Sequence, residues 1–188
     1  TYITNWRFPA VVAFMFSIYI FTSPLLSTNL LTIQNLRSMG IEMSSSSEHR
    51  IGIWSHTSKK IKEFFPLGSG FDSARILGRE KVYIEEMRKS IGYAPPALPL
   101  HPHNGILQVW LELGIIGSVG IFFIIIGILK IIEEIPAKKF RSAALGAFVT
   151  ALAPLLLNFG LWQAWWLSTL CISFALILSL RKEDKNNY

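Results

Sequence analysis

The sequence predicts an all-α integral membrane protein, with about four membrane-spanning helices and a large helical loop between the first and second of them. The first supporting observation is composition, because 51% of the 188 residues are hydrophobic. The second is distribution, since apolar residues form long blocks toward the two ends while charged residues gather between about positions 37 and 89. Apolar blocks so close together leave little polar surface to cover them in water, so a bilayer is their expected solvent.

The spans are predicted from the lengths of the apolar blocks. A helix needs about 20 mostly apolar residues to cross a bilayer, and four blocks approach or reach this length. The resulting membrane domain covers residues 1–188, with spans at 1–26, 115–132, 143–159 and 161–180.

Basic residues predict the orientation of these spans, because short cytoplasmic loops are rich in Lys and Arg. They occur before the first span, around the loop 133–142 and in the tail 181–188: Arg7, Lys130, Lys138, Lys139, Arg141, Arg181, Lys182 and Lys185. Both ends and the 133–142 loop are therefore expected in the cytoplasm, and the segment 27–114 outside. This arrangement also accounts for the net charge of +6 without a nucleic-acid partner.

Two further features bear on the organisation of the chain. The single cysteine, Cys171, lies in the last apolar block and excludes an intrachain disulfide. The chain opens with Thr1, and no signal peptide is evident. We interpret the sequence as the C-terminal part of a longer polytopic protein.

The first half of the outer segment predicts a helix and a turn. Apolar residues recur at helical spacing after a serine run, with Ser47 as the expected N-cap and Glu48 in the first turn. The helix should end before Pro66, because a residue that precedes proline is driven out of the α region. Residues 67–70 then read as a tight turn containing Gly68 and Gly70.

The second half of the outer segment leads back to the membrane. Residues 79–90 predict a charged helix, on which Glu85 could pair with Arg88 or Glu86 with Lys89, and the proline-rich stretch 94–100 predicts extended chain. Asn104 is the expected N-cap of a short helix that Gly114 ends, with the second span directly after it. His103 is thus expected at the outer membrane surface, beside a helix N-terminus.

Four residues in this segment could act on a phosphate-linked substrate: Arg50, His101, His103 and Asn104. A helix N-terminus and an arginine fork both favour phosphate, and histidine can exchange a proton near neutral pH. Such a set suits transfer of a glycosyl group from a diphosphate leaving group. The alternative is an ordinary solvated surface, because exposed His and Arg are common without function.

The order of motifs here resembles that of the bacterial O-antigen ligases and the related polymerase-like glycosyltransferases. His103 and Gly114 are separated by ten residues, as in the histidine-and-glycine signature of these ligases. Upstream, the runs at 50–54 and 65–70 are similar to the arginine helix and glycine turn of the family. The resemblance covers residues 48 to about 120, although Trp54 stands where the stricter ligase pattern has leucine.

The resemblance implies a glycosyltransferase of the bacterial cytoplasmic membrane, with its active-site loop on the periplasmic side and undecaprenyl diphosphate carrying the donor glycan. His103 then becomes the catalytic residue, and neither a metal nor a cofactor is expected. The diphosphate would be bound by Arg50 and Asn104, with His101, Arg75 and Arg79 as further candidates. The motif glycines Gly68, Gly70 and Gly114 are expected to have structural roles. Members of the family also have more membrane spans than this chain contains. They have a further important arginine in a more N-terminal part, which this chain lacks.

Several alternatives stay open from the sequence. The acceptor could be lipid A-core, as for a ligase, another lipid-linked glycan, as for a polymerase, or a protein. A transporter would place ionisable residues inside its spans, which are nearly free of charge here, and a scaffold would need none of the motif residues. For Glu112 we expect an interfacial surface position rather than a role in orienting a cation. An aromatic belt accounts for the tryptophans at 162, 165 and 166.

Overall fold

The computed structural model describes the backbone of residues 7–157 and 160–186, and side chains over 10–157 and 160–179. Across these residues the protein is almost wholly helical. Its α-helices are α1 (Arg7–Asn29), α2 (Ile33–Ser38), α3 (Ser45–Phe64), α4 (Ala74–Leu77), α5 (Arg88–Ile91), α6 (Gly105–Glu133), α7 (Lys138–Leu157) and α8 (Ala164–Asn186). A single turn of 3₁₀ helix at Glu85–Met87 leads into α5.

The predicted all-α membrane fold is confirmed. Three helical stretches are long and apolar enough to cross a bilayer, at Ala10–Asn29, Gly105–Glu133 and Lys138–Leu157, and Ala164–Ser179 is a shorter apolar helix. The large segment between the first two contains α2 to α5, as the sequence predicted. Which side of the membrane this segment occupies stays a prediction.

Helix α6 packs against α1 and α3, and this packing forms the core beneath the outer segment. Ile20, Ile53, Leu107 and Leu111 are almost completely buried there. The indole N–H of Trp110 donates to the carbonyl of Ile20 at 2.7 Å, which ties α6 to the middle of α1. The first turns of α6 are therefore held on a fixed support.

The N-cap of helix α3 lies three residues before the predicted one. Ser44, rather than Ser47, has the extended backbone of an N-cap, and its hydroxyl accepts from the N–H of Ser47 at 3.3 Å. The residue expected in the first turn, Glu48, is buried and pairs with Arg37 at 2.7 Å. The helix ends at Phe64, so its predicted end before Pro66 is correct.

The charged helix predicted at 79–90 is wrong over its first half, residues 79–84. Residues 82–84 are extended instead, because they find hydrogen-bond partners in the proline-rich stretch. The N–H of Ile84 donates to the carbonyl of Pro95, and that of Ala97 to the carbonyl of Val82, both at 2.9 Å. Helical turns appear only from Glu85 onward, where Glu85 does pair with Arg88 at 2.7 Å.

The last two helices differ from the predicted spans 143–159 and 161–180 at their ends. Helix α7 begins earlier, at Lys138, and residues 158–159 lie outside the described part of the chain. Helix α8 begins only at Ala164, and in the loop before it the backbone N–H of Leu161 donates to the side-chain oxygen of Gln108 at 2.9 Å. The predicted tail 181–188 is helical to Asn186, whereas positions 1–6 of the first span are not described.

Candidate active site

Asn104 caps α6 in the predicted manner. Its side-chain oxygen accepts from the N–H groups of Ile106 and Leu107, both at 3.1 Å, and its amide donates to the hydroxyl of Tyr19 at 2.6 Å. The residue is only 1% exposed. Both of its functional groups are thus engaged in the fold, and the first N–H groups of the helix are largely satisfied from within. Its contact with a diphosphate stays a prediction.

His103, directly before this cap, has the unusual backbone angle φ of 53°. Its N–H donates to Nδ1 of His101 at 3.2 Å, and the centres of the two imidazole rings are 4.3 Å apart. Few residues other than glycine adopt such an angle without support from the surrounding structure. The imidazole of His101 supplies part of that support, so the two histidines form one unit.

The acceptor role of His101 requires an unprotonated Nδ1. Burial, followed by the nearby His103 and the positive charge of Arg75, lowers the pKa of His101 from its usual 6.5 to about 4. At neutral pH its ring is therefore uncharged and suited to accept the N–H of His103. Its ring also packs on Gly160, where a side chain would crowd it.

Arg75 lies on α4, next to the histidine pair. It borders a small cavity together with Asp72, Leu100, His101, Gln108, Gly160, Trp162 and Gln163. Its guanidinium pairs with the carboxylate of Asp72 at 3.1 Å and is half exposed. The structure thus brings a cation with free hydrogen-bonding capacity to the edge of the histidine pair, as binding of an anionic group would require.

A break in α6 explains the spacing of the motif glycines. Gly114 has φ 59° and ψ −146°, angles that interrupt the helix. The turn after α3 replaces the lost helical hydrogen bonds: Ser69 N–H donates to Leu111 O at 2.8 Å, Gly70 N–H to Glu112 O at 2.9 Å, and Ile115 N–H to Pro66 O at 2.9 Å. A Cβ on Gly68 or Gly114 would collide with the backbone of the other segment.

Glu112, which we expected at the interface as a surface residue, is instead 1% exposed. Its carboxylate accepts from the backbone N–H of Asp72 at 3.0 Å, that of Ala74 at 3.3 Å, the amide of Gln108 at 3.0 Å and the indole N–H of Trp162. The sequence did contain a signal for this. A lone carboxylate four residues after Gln108, in an otherwise apolar helix, has to find donors if it is buried.

Trp162, which was predicted to belong to an aromatic belt, also makes specific contacts within the protein. The ring of Trp162 lies 4.4 Å, centre to centre, from that of Phe71 in the turn before α4. With its bond to Glu112, Trp162 joins the loop before α8 to the start of α6. Sequence spacing could not reveal this contact, since it joins distant parts of the chain.

Two of the predicted diphosphate ligands lie apart from this group. Arg50 is on α3, half buried, and its guanidinium donates to the hydroxyl of Ser46 at 3.0 Å. Arg79 is exposed in the segment after α4. Neither borders the cavity beside His101. Among the described residues, no group of three or more His, Cys, Asp and Glu side chains is placed to bind a metal ion.

Comparison with known proteins adds the family. The sequence model of the family described as O-antigen ligase matches residues 2–122. Three rickettsial proteins that carry the provisional name polysaccharide ligase are similar: one from Rickettsia felis, 37% identical over 139 residues, one from Rickettsia conorii, 33% over 151, and one from Rickettsia typhi, 35% over 133.

These alignments cover 74%, 80% and 71% of this chain but 33%, 36% and 32% of the respective relatives. The chain thus spans about a third of the length of the curated relatives that it matches. No solved structure matches it. The matched region contains the arginine helix, the glycine turn and the His103 segment, in the order that the sequence predicted. This chain belongs to the O-antigen ligase family.

Proposed function

We propose that the protein transfers a glycan from undecaprenyl diphosphate to an acceptor in the synthesis of a surface polysaccharide, with lipid A-core as that acceptor. The main support is the position of His103. It lies directly before the capped start of α6 and is bonded to His101, which borders a small cavity together with Arg75. This group contains three features that a sugar transfer from a diphosphate requires. They are a histidine that can gain or lose a proton, an arginine cation and the positive end of a helix.

The reaction assigns a separate task to each of these groups. A hydroxyl oxygen of the acceptor attacks the anomeric carbon of the donor glycan, and the bond from that carbon to the diphosphate oxygen breaks. The electron pair of the broken bond leaves with the lipid diphosphate, whose phosphate charge Arg75 binds both before and after the bond breaks. His103 accepts the proton of the attacking hydroxyl, and no metal ion takes part.

The proposed location follows from the same substrates. The spans lie in the bacterial cytoplasmic membrane, and the segment 27–114 lies on its periplasmic side, where it meets the head group of the lipid-linked donor. A polymerase or a protein glycosyltransferase would use the same chemistry on another acceptor. Glycan attached to another lipid-linked chain, or to protein, would therefore identify those alternatives.

The test is glycan transfer by the full-length product in a strain that lacks its own copy. We expect His103→Ala to remove the glycan ladder, because loss of acid–base help typically costs a factor of about 10² to 10⁴. His49→Ala is the matched control, since its imidazole hydrogen-bonds to a backbone carbonyl, that of Pro96, at 3.2 Å and does not border the cavity beside His101. A normal ladder from His103→Ala, at wild-type protein abundance, would contradict the assignment. Loss of wild-type transfer with a chelator would point to a metal site instead.

A further inference from the structure

The buried carboxylate of Glu112 accepts hydrogen bonds from three separate parts of the chain. Two are backbone N–H groups at the start of α4, at Asp72 and Ala74. One is the amide of Gln108, a turn earlier on α6. The fourth, from outside the segment 27–114, is the indole of Trp162 in the loop before α8. All four donors are uncharged, and each carboxylate oxygen accepts two of them.

We propose that Glu112 is a positioning residue of the donor site, which holds the Arg75 turn and the Trp162 loop against the start of α6 so that Arg75 faces the lipid-linked diphosphate beside His101. This inference rests on the proposed function. Glu112 itself is too deeply buried to contact a substrate. Its effect would therefore act through the residues that it binds.

The turn before α4 shows why such an anchor is needed. Asp72 has a φ of 54°, an angle that costs energy for a residue with a side chain. Its N–H donates to Glu112 at 3.0 Å, while its carboxylate pairs with Arg75 at 3.1 Å. The position of the Arg75 guanidinium thus depends on Asp72, and the conformation of Asp72 depends on Glu112.

Only a full-length carboxylate satisfies all four donors. An amide at this position presents one oxygen and one NH₂ group, so in either orientation two N–H donors face another donor. Aspartate keeps the charge but is one methylene shorter, and cannot span the same distances. Glu112→Gln is therefore the informative change, since it keeps size and shape while it removes two acceptor positions.

The first experiment measures transfer kinetics of the full-length protein with undecaprenyl-diphosphate-linked glycan as the varied substrate. We expect Glu112→Gln to raise the KM for this donor about tenfold and to change kcat by less than about threefold, since a ligand-binding group is displaced and the proton acceptor is kept. Trp162→Phe, which removes one of the four donors, should raise the donor KM by a smaller factor. Glu48→Gln is the matched control, a buried carboxylate on α3 that pairs with Arg37, and should leave the KM unchanged.

The second experiment detects the turn itself and needs no activity. In the full-length protein with Cys171 and any other cysteine replaced by serine, Ser73→Cys places a thiol at a buried position of the turn, where the native residue is 7% exposed. Adding Glu112→Gln should accelerate its labelling by a water-soluble maleimide several-fold, because the turn is released, whereas adding Glu48→Gln should not.

The outcomes separate the two proposals. If the wild-type protein transfers no glycan, the proposed function fails, whatever the labelling shows. If the wild type transfers glycan but Glu112→Gln keeps the wild-type donor KM or the slow labelling rate, the role of Glu112 is refuted. If Glu112→Gln does not accumulate, Trp162→Phe decides the question, and an unchanged donor KM in that variant overturns the inference.

Discussion

At the scale of single residues, His101 illustrates how a titratable group can support its neighbour. Its Nδ1 accepts the N–H of His103 at 3.2 Å, in a geometry that joins a side chain to the backbone two residues later. This bond exists only while the imidazole is uncharged. Burial, together with the nearby His103 and Arg75, lowers the pKa of His101 to about 4, so the ring is uncharged at neutral pH. His101 therefore has a defined task without contact to a substrate.

This geometry predicts that His101→Asn will preserve more transfer activity than His101→Ala. An asparagine oxygen commonly accepts the N–H two residues on and can replace Nδ1, whereas alanine leaves His103 without that support. The measurement is the glycan ladder at matched protein abundance. Equal activity of the two variants would show that the hydrogen bond to His103 is dispensable.

The same residue predicts a pH dependence of stability. Between pH 6.5 and about 4, His101 binds more protons in the unfolded than in the folded protein, so stability should fall as pH is lowered through this window. His101→Asn should remove that part of the dependence, as followed by thermal unfolding in detergent at several pH values. The remaining dependence should include His56, whose pKa burial also lowers. An identical pH profile of variant and wild type would contradict the prediction.

At the scale of elements, the site depends on the contact between the turn after α3 and the break in α6. Gly114 and Gly68 allow the two backbones to meet, and the hydrogen bonds of Ser69 and Gly70 replace those that the broken helix loses. The carbonyls that accept them belong to Leu111 and Glu112. The ten residues between His103 and Gly114 thus comprise the cap of α6 and the part of this helix that precedes its break.

We predict that Gly114→Ala destabilises the protein by more than about 2 kcal/mol, because the positive φ is costly for alanine and the added Cβ meets the carbonyl of Pro66. The control is Gly127→Ala in the same helix, where a Cβ meets nothing within 4 Å. That change should be neutral or stabilising by up to about 1 kcal/mol. Thermal unfolding in detergent measures both, and equal effects would exclude a special role for Gly114.

Features set by local chemistry could be predicted at this scale. The cap at Asn104, the end of α3 before Pro66 and the interruption at Gly114 each depend on a residue and its immediate neighbours. The start of α3 could not be fixed, since several serines in succession are equally good caps. The helix predicted at 79–90 failed over 79–84 for another reason: the backbone there bonds to the proline-rich stretch, and the local charge pattern does not contain that information.

The contacts of Glu112 could not be predicted because they join parts of the chain that are far apart in sequence. Gln108 is one helical turn away, but Asp72 is 40 residues away and Trp162 is 50. The sequence indicates that a buried carboxylate needs donors, without indicating which ones. The predicted diphosphate ligand Arg50 does not border the cavity beside His101, and its contact with a diphosphate stays a prediction.

At the scale of the whole molecule, the candidate site lies where the outer segment meets three apolar helices. Asn104 bonds to Tyr19 of α1, Gly105 packs on Leu155 of α7, and the loop before α8 reaches Glu112. The site is therefore on the same side of the membrane as the segment 27–114. The charge pattern of the short loops predicts that this side is the outer one.

Cysteine labelling tests this orientation, and both probe positions are exposed in the structure. In the full-length protein with Cys171 and any other cysteine replaced by serine, we expect Ser45→Cys at the start of α3 to react with a membrane-impermeant maleimide in intact spheroplasts. Glu133→Cys, at the end of α6, should react only after permeabilisation, because the basic loop that follows it favours the cytoplasmic side. The acidic position is chosen so that the Lys and Arg residues of the loop stay in place. Labelling of Glu133→Cys but not of Ser45→Cys in intact spheroplasts would reverse the topology and place His103 on the cytoplasmic side.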